Sequence, residues 1–257
     1  MRLRPFTFLQ KIIKEALLVT LKWISTPHLK RLIEEAITRS ADTLPPDEAL
    51  RFLFRLDEQL YVLEGIKAME YNGGIHTKHR HTHYHNFFVG RIHEGERVLD
   101  IGCGMGDVAY DVAMKAGAEV MGIDLNHQNI AQARSRYHHP RLRFIVGNAL
   151  QDLPDEPFDV VVLSNILEHL EARYTFLRRV QEKVRPSRFL IRVPLYERDW
   201  RVPLKRELGV EWRLDLTHET EYTLESFAEE MGAAGLRITH QEVRWGEIWA
   251  EAVPYGS

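Results

Sequence analysis

The stretch Arg97-Val98-Leu99-Asp100-Ile101-Gly102-Cys103-Gly104-Met105-Gly106-Asp107 decides the fold. Val98, Leu99 and Ile101 form a short apolar run suited to a buried strand, and the run passes directly into a glycine turn. Gly102 and Gly104 allow a tight bend and leave no side chain between the backbone and a ligand. A helix is expected to open at or just after Gly106, with its first amides aimed over the turn, an arrangement suited to an anionic or polar group.

Dinucleotide enzymes use a related turn spaced Gly-x-Gly-x-x-Gly. Here the spacing is Gly-x-Gly-x-Gly, with Asp100 two residues ahead. A second apolar run, Glu119 to Ile123, ends on Asp124, where a carboxylate at a strand end can accept hydrogen bonds from two ribose hydroxyls. Taken together, Asp100, Gly102-Cys103-Gly104-Met105-Gly106 and Gly122-Ile123-Asp124 resemble the class I S-adenosylmethionine-dependent methyltransferases. The resemblance covers about residues 87–253. It implies an α/β fold, a Rossmann-like doubly wound sheet that ends in an antiparallel hairpin. It also implies S-adenosylmethionine as cofactor, with contacts from Asp100, Gly102, Cys103, Gly104, Asp124, Leu125, Asn148, Ala149 and Asn165.

The downstream pattern fits. A helix from about Asn126 to Tyr137 is followed by strands at 142–146, 158–163 and 189–193, the last stopped by Pro194. Gly147-Asn148-Ala149 follows the third strand, where the family commonly sets an acid or amide against the adenine amino group. Asn148 offers a carbonyl oxygen for that contact, and Ala149 a backbone amide. A helix at 224–234 closes on Gly235, and 236–253 reads as a strand pair broken near Trp245-Gly246. The block from Leu190 to Val253 is also similar to methyltransferases associated with polysaccharide biosynthesis.

The connection of about 194–222 is long for a compact domain and rich in charged and aromatic residues, so it is read as the acceptor lid. Arg198, Asp199, Arg213, Asp215 and Glu221 would offer hydrogen bonds to a polar acceptor, and Trp200 and Trp212 would stack on a sugar face. A hydroxyl acceptor needs a base of near-neutral pKa or a metal. His218 is the first candidate base, with helix capping or holding of Asp215 as its structural alternatives. His169 is the second, set beside Asn165 by one expected helical turn.

Asn165-Ile166-Leu167-Glu168-His169 resembles the Glu-x-x-Glu-His run that binds magnesium in ubiquinone-pathway and small-RNA O-methyltransferases. Asn165 replaces its first acid and leaves Glu168 as the one sure anion, so a divalent cation ranks below a histidine base.

Ahead of the glycine turn, residues 75–86 carry His76, His79, His81, His83 and His85. No acid or cysteine accompanies them, which favours a polar lid over a metal site. In the resembled family this position covers the methionine end of the cofactor, and Arg80 and Tyr84 would meet its carboxylate. Residues 1–74 read as a helical appendage, with helices at 6–25, about 27–40 and 47–69, ahead of a methyltransferase domain at 75–257.

The first 31 residues hold seven Lys or Arg against Glu15. The plain reading is a solvated helix, and the sharper one is peripheral contact with an anionic membrane surface or an acidic partner. A signal peptide is not expected, because no small-residue cleavage site follows the short apolar run, and no run is long enough to span a bilayer. Cys103 is the sole cysteine, which points to a reducing cytoplasm.

A net charge of −3 does not ask for nucleic acid. The expected function is O-methylation of a hydroxyl on a polar small molecule such as a sugar. The alternatives are 2′-O-methylation of RNA ribose, and a cofactor-binding module without catalysis. Nothing in the sequence sets the oligomeric state.

Overall fold

The computed structural model describes residues 11, 13, 15–17 and 19–256. It divides into two compact units, Met1–Leu63 and Glu64–Ser257. The boundary lies inside a helix and ahead of the expected one at 74. In the first unit the described residues among 11–21 are helical, 22–25 form a turn rather than the end of the expected 6–25 helix, and the other residues of that helix lie outside the described residues. Helix α1, Thr26–Asp42, starts with Pro27 in its first turn, where a missing N–H costs nothing. Helix α2, Pro46–Tyr71, runs on into the second unit. Ile13, Leu17, Val19 and Trp23 are exposed. Among the described residues, no helix is long and apolar enough to cross a membrane.

The second unit is built on a seven-stranded sheet of order β3-β2-β1-β4-β5-β7-β6. Its strands are β1 Arg97–Ile101, β2 Glu119–Asp124, β3 Leu142–Val146, β4 Val160–Ser164, β5 Arg188–Pro194, β6 Leu236–Arg244 and β7 Glu247–Pro254. The first five are parallel, and β7 pairs antiparallel with both β5 and β6. This is the doubly wound sheet with a terminal hairpin that the sequence implied.

Alternate residues of the central strands feed two cores. Leu99, Ile101, Val161, Leu163, Phe189 and Ile191 face one, while Val98, Val160, Val162 and Leu190 face the other. Burial on both faces explains why these strands read as continuous apolar runs rather than alternating ones.

Helices α3 Lys78–Thr82 and α4 His85–Val89 precede β1. Helix α5, Asp107–Asp111, follows the glycine turn, and α6, His127–Arg136, follows β2 with Asn126 as its cap, accepting from the amides of Gln128 and Asn129. Helix α7, Arg173–Val184, links β4 to β5. The expected lid contains a helix, α8 Arg201–Glu207, that sequence reading did not place. Helix α9, Leu224–Ala233, opens on a reciprocal capping box between Thr223 and Ser226.

Candidate active site

The carboxyl ends of the parallel strands form one rim, and the glycine turn lies at its centre. Gly102 and Gly104 adopt left-handed φ of 69° and 54°. A side chain at Gly102 would strike Ile166, whereas one at Gly104 would meet no atom within 4 Å. The backbone at Gly104 is therefore open to a ligand.

Asp124 anchors this turn. One oxygen accepts from the Gly104 amide at 2.8 Å, and the other from the Asn126 amide at 2.8 Å. Cys103 is partly buried, and burial pushes its thiol well above the usual range, as for an inert packing residue. Asp100 lies beneath the turn, 2% exposed, and its Oδ2 has no partner among the described residues. Burial, and then the neighbouring charge of Asp124, push its pKa up to about 8.

Leu125 is exposed at the rim. The Asn148 side-chain carbonyl accepts from the Leu150 amide at 3.0 Å, leaving one lone pair for a ligand. Ala149 packs against the core. Asn165 sits at φ 58°, a left-handed position where asparagine is enriched, and its buried Oδ1 has no partner among the described residues.

Residues 75–86 are not a simple polar cover. Within 75–86 only Tyr84 is buried, in the second core beside Phe87 and Phe88 that follow the segment. His79 Nδ1 lies 3.0 Å from His85 Nε2 and 3.2 Å from the Tyr84 hydroxyl, and His85 Nδ1 lies 2.8 Å from Asp111. Burial pulls the His79 pKa down to about 4. Arg192 spreads its guanidinium 3.9 Å from the centre of the Tyr84 ring and makes two 2.6 Å bonds to Glu247. Arg80 is exposed and rests against Tyr71.

Across the rim, Glu168, His169 and His218 each bring one ligand-type atom within 4.8 Å of the others. Both carboxylate oxygens of Glu168 are buried and without a hydrogen-bond partner among the described residues, and burial pushes its pKa up to about 8. The two imidazoles meet edge to face with centroids 4.7 Å apart, and partial burial draws the His169 pKa down.

The lid fixes both rings. Thr217 donates its hydroxyl to Asp215 at 2.7 Å and therefore accepts at 2.9 Å from His169 Nδ1. His218, 4% exposed, places Nδ1 3.2 Å from Glu221. The amides of Glu219 and Thr220 donate to the Glu168 carbonyl at 2.7 and 3.3 Å, which ties the lid to the turn after β4.

Three expectations change here. Residues 165–169 are not a helical turn, because Asn165 is left-handed and only Leu167–His169 form a 3₁₀ turn, so the side-by-side placement of Asn165 and His169 fails on helical grounds. His218 is not a helix cap, a role Thr223 fills. The lid charges expected to face an acceptor largely pair with one another: Arg198 with Glu221, Asp199 with Arg201, and Glu211 with Arg213. Trp212 is engaged with Tyr196, while Trp200 is 71% exposed.

Sequence reading missed Arg192 and Glu247. Their signal was an arginine inside the apolar run 188–193 and an acid opening the last strand.

Residues 98–187 match a family model described as a methyltransferase domain. The chain is 29% identical over 153 residues to a 2-methyl-6-phytyl-1,4-hydroquinone methyltransferase of Synechocystis, covering 55% of this chain and 46% of the relative. It is also 29% identical over 155 residues to a ubiquinone biosynthesis O-methyltransferase of Rhodopseudomonas palustris, covering 57% and 60%. The chain thus spans about half the length of these curated relatives. A crystal structure of magnesium protoporphyrin IX methyltransferase from Synechocystis, with bound S-adenosylhomocysteine (SAH), superposes with a TM-score of 0.55 at 18% identity, over 68% of this chain and 83% of that one. At that identity the likeness shows the fold.

Proposed function

We propose that the chain is a class I S-adenosylmethionine-dependent methyltransferase that methylates a hydroxyl of a small polar acceptor, such as a sugar. The match of residues 98–187 to a methyltransferase domain and the shared fold support the first part. The observation that carries this reading is the juxtaposition of Glu168, His169 and His218 at the acceptor side of the rim. An amine acceptor needs only alignment, whereas a hydroxyl must lose a proton, and this cluster is the place for it.

The open backbone at Gly104, Asp124 at the end of β2 and the lone pair of Asn148 fit S-adenosylmethionine at its main chain, ribose and adenine. When bound, the cofactor supplies a methyl already made electrophilic by the sulfonium charge. His218 accepts the hydroxyl proton as the acceptor comes into line, Glu168 and His169 flank it, and the lid excludes water. Exposed Trp200 supplies a stacking face for a ring on the acceptor.

A second reading is favoured by the orphaned Glu168 carboxylate. Two imidazoles and a carboxylate suit a divalent cation, which would lower the pKa of the acceptor hydroxyl.

The test is calorimetry with S-adenosylmethionine, followed by SAH release on sugar, quinol and RNA acceptors, each with and without chelator. Turnover on the sugar arm that survives chelator and is lost in His218→Ala supports the base reading. Turnover lost to chelator and restored by magnesium supports the cation. No turnover on any hydroxyl, with binding intact, overturns the proposal.

A further inference from the structure

We propose that Glu221 is a positioning residue that fixes the ring orientation and tautomer of His218, so that the imidazole presents Nε2 to the reacting centre. The inference rests on the placement of His218 in the site above.

Glu221 is buried, and its side chain is fully removed from solvent. Three groups converge on its carboxylate. Oε1 accepts from the Leu214 amide at 2.5 Å and lies 3.2 Å from His218 Nδ1, while Oε2 pairs with the Arg198 guanidinium. The Leu214 amide and the guanidinium can only donate, so Glu221 is the acceptor of this cluster and the proton between it and His218 sits on Nδ1. Nε2 is then the nitrogen left with a lone pair, for a proton or for a cation.

Each donor to Glu221 comes from a different part of the lid. Arg198 also bonds to the carbonyls of Leu195 and Trp212, and Arg213 holds the His218 carbonyl at 2.8 Å. One carboxylate thus couples the start of the lid, its middle and the His218 ring. Loss of this coupling would leave the ring in place by packing alone, and free to take the other tautomer.

Asp215 acts on His169 in the same sense through the Thr217 hydroxyl, which marks Nδ1 of that ring as the protonated nitrogen too.

The test uses the full chain with ¹⁵N-labelled histidine, without added metal, at about pH 8, above the ordinary imidazole range. Long-range ¹H–¹⁵N spectra report which ring nitrogen carries the proton, and His218→Ala assigns the signal. The wild type is expected to show His218 as the Nδ1–H form. Glu221→Gln, whose side-chain carbonyl still accepts, should keep it. Glu221→Ala should lose it, and so should Glu221→Asp, which keeps the charge opposite Arg198 but withdraws the oxygen from Nδ1.

The aspartate variant guards against misfolding of the alanine one, since its ion pair remains. In the hydroxyl-acceptor assay, Glu221→Ala should lower kcat about 10–100-fold with the KM for S-adenosylmethionine unchanged. An Nε2–H form in the wild type, or an Nδ1–H form that persists in both Glu221→Ala and Glu221→Asp, overturns the inference. Full activity of His218→Ala would instead overturn the base role given to His218 in the proposed function, while the tautomer still decides the role of Glu221.

Discussion

The two halves of the rim treat their acidic residues in opposite ways. On the side read as the cofactor's, the two oxygens of Asp124 accept backbone amides, one from the glycine turn and one from the start of α6. On the acceptor side, the Glu168 carboxylate has no donor among the described residues, although its own carbonyl receives two amides from the lid. With one main-chain donor on each oxygen, a carboxylate such as Asp124 serves as scaffold and keeps lone pairs for the proposed ribose contact. One left bare in a dry site is costly unless something binds there. The first half is preformed, and the second is poised.

That contrast can be broken by substitution. The largest effect is expected at the poised half, where His218→Ala should cut turnover about 10²–10⁴-fold with little change in cofactor affinity. Single-turnover kinetics alongside calorimetry would separate the two quantities. Equal losses in both would mean that the halves are not distinct. The preformed half should respond through affinity. Asp124→Ala removes an anchor of the turn as well as the proposed ribose partner, and should weaken S-adenosylmethionine binding by about 1.5–3 kcal/mol. Calorimetry checks this, and unchanged affinity would take Asp124 out of the cofactor site.

Asp100 gives a pH test. Its pKa rises to about 8 in the folded chain, so between the usual carboxylate range and about pH 8 the native state holds a proton that the unfolded chain has released. The folded state binds more protons in that window, so stability falls as pH rises through it and levels off above. Asp100→Asn should flatten that decline, as read from Tm across pH. An unchanged slope would mean that Asp100 is not protonated in the native state. The smallest effect is expected from Trp200→Ala, which should raise the acceptor KM a few-fold, on the scale of one aromatic contact of about 0.5–1.5 kcal/mol, and leave Tm unchanged because the side chain is exposed.

The same contrast explains what the sequence could reveal. The glycine turn, Asp124 and the strand runs are local, since each residue's role depends on neighbours within a few positions or on an apolar run covered on both faces. The doubly wound sheet and its terminal hairpin are the architecture that the resemblance carried by these residues implies. The acceptor side is assembled from residues some fifty positions apart, and its partners are set by side-chain contacts with no periodic signature. His218 was legible as a histidine in a long connection. That Glu221 would hold it, and that Arg198 would be spent on Glu221 rather than on an acceptor, was not. The error at 165–169 has the same root. The helical spacing expected there is interrupted by the left-handed Asn165, which stands between β4 and the 3₁₀ segment.

The bonds from Glu219 and Thr220 to the carbonyl of Glu168 bear on how such a protein could diverge. A lid grafted from another chain would carry its own donors to that carbonyl and its own histidine, or neither. On the proposed reading, specificity and proton chemistry would move as one block, and chimaeras are expected to keep activity with crossovers before Asn165 and after Tyr222 and to lose it with a junction between them.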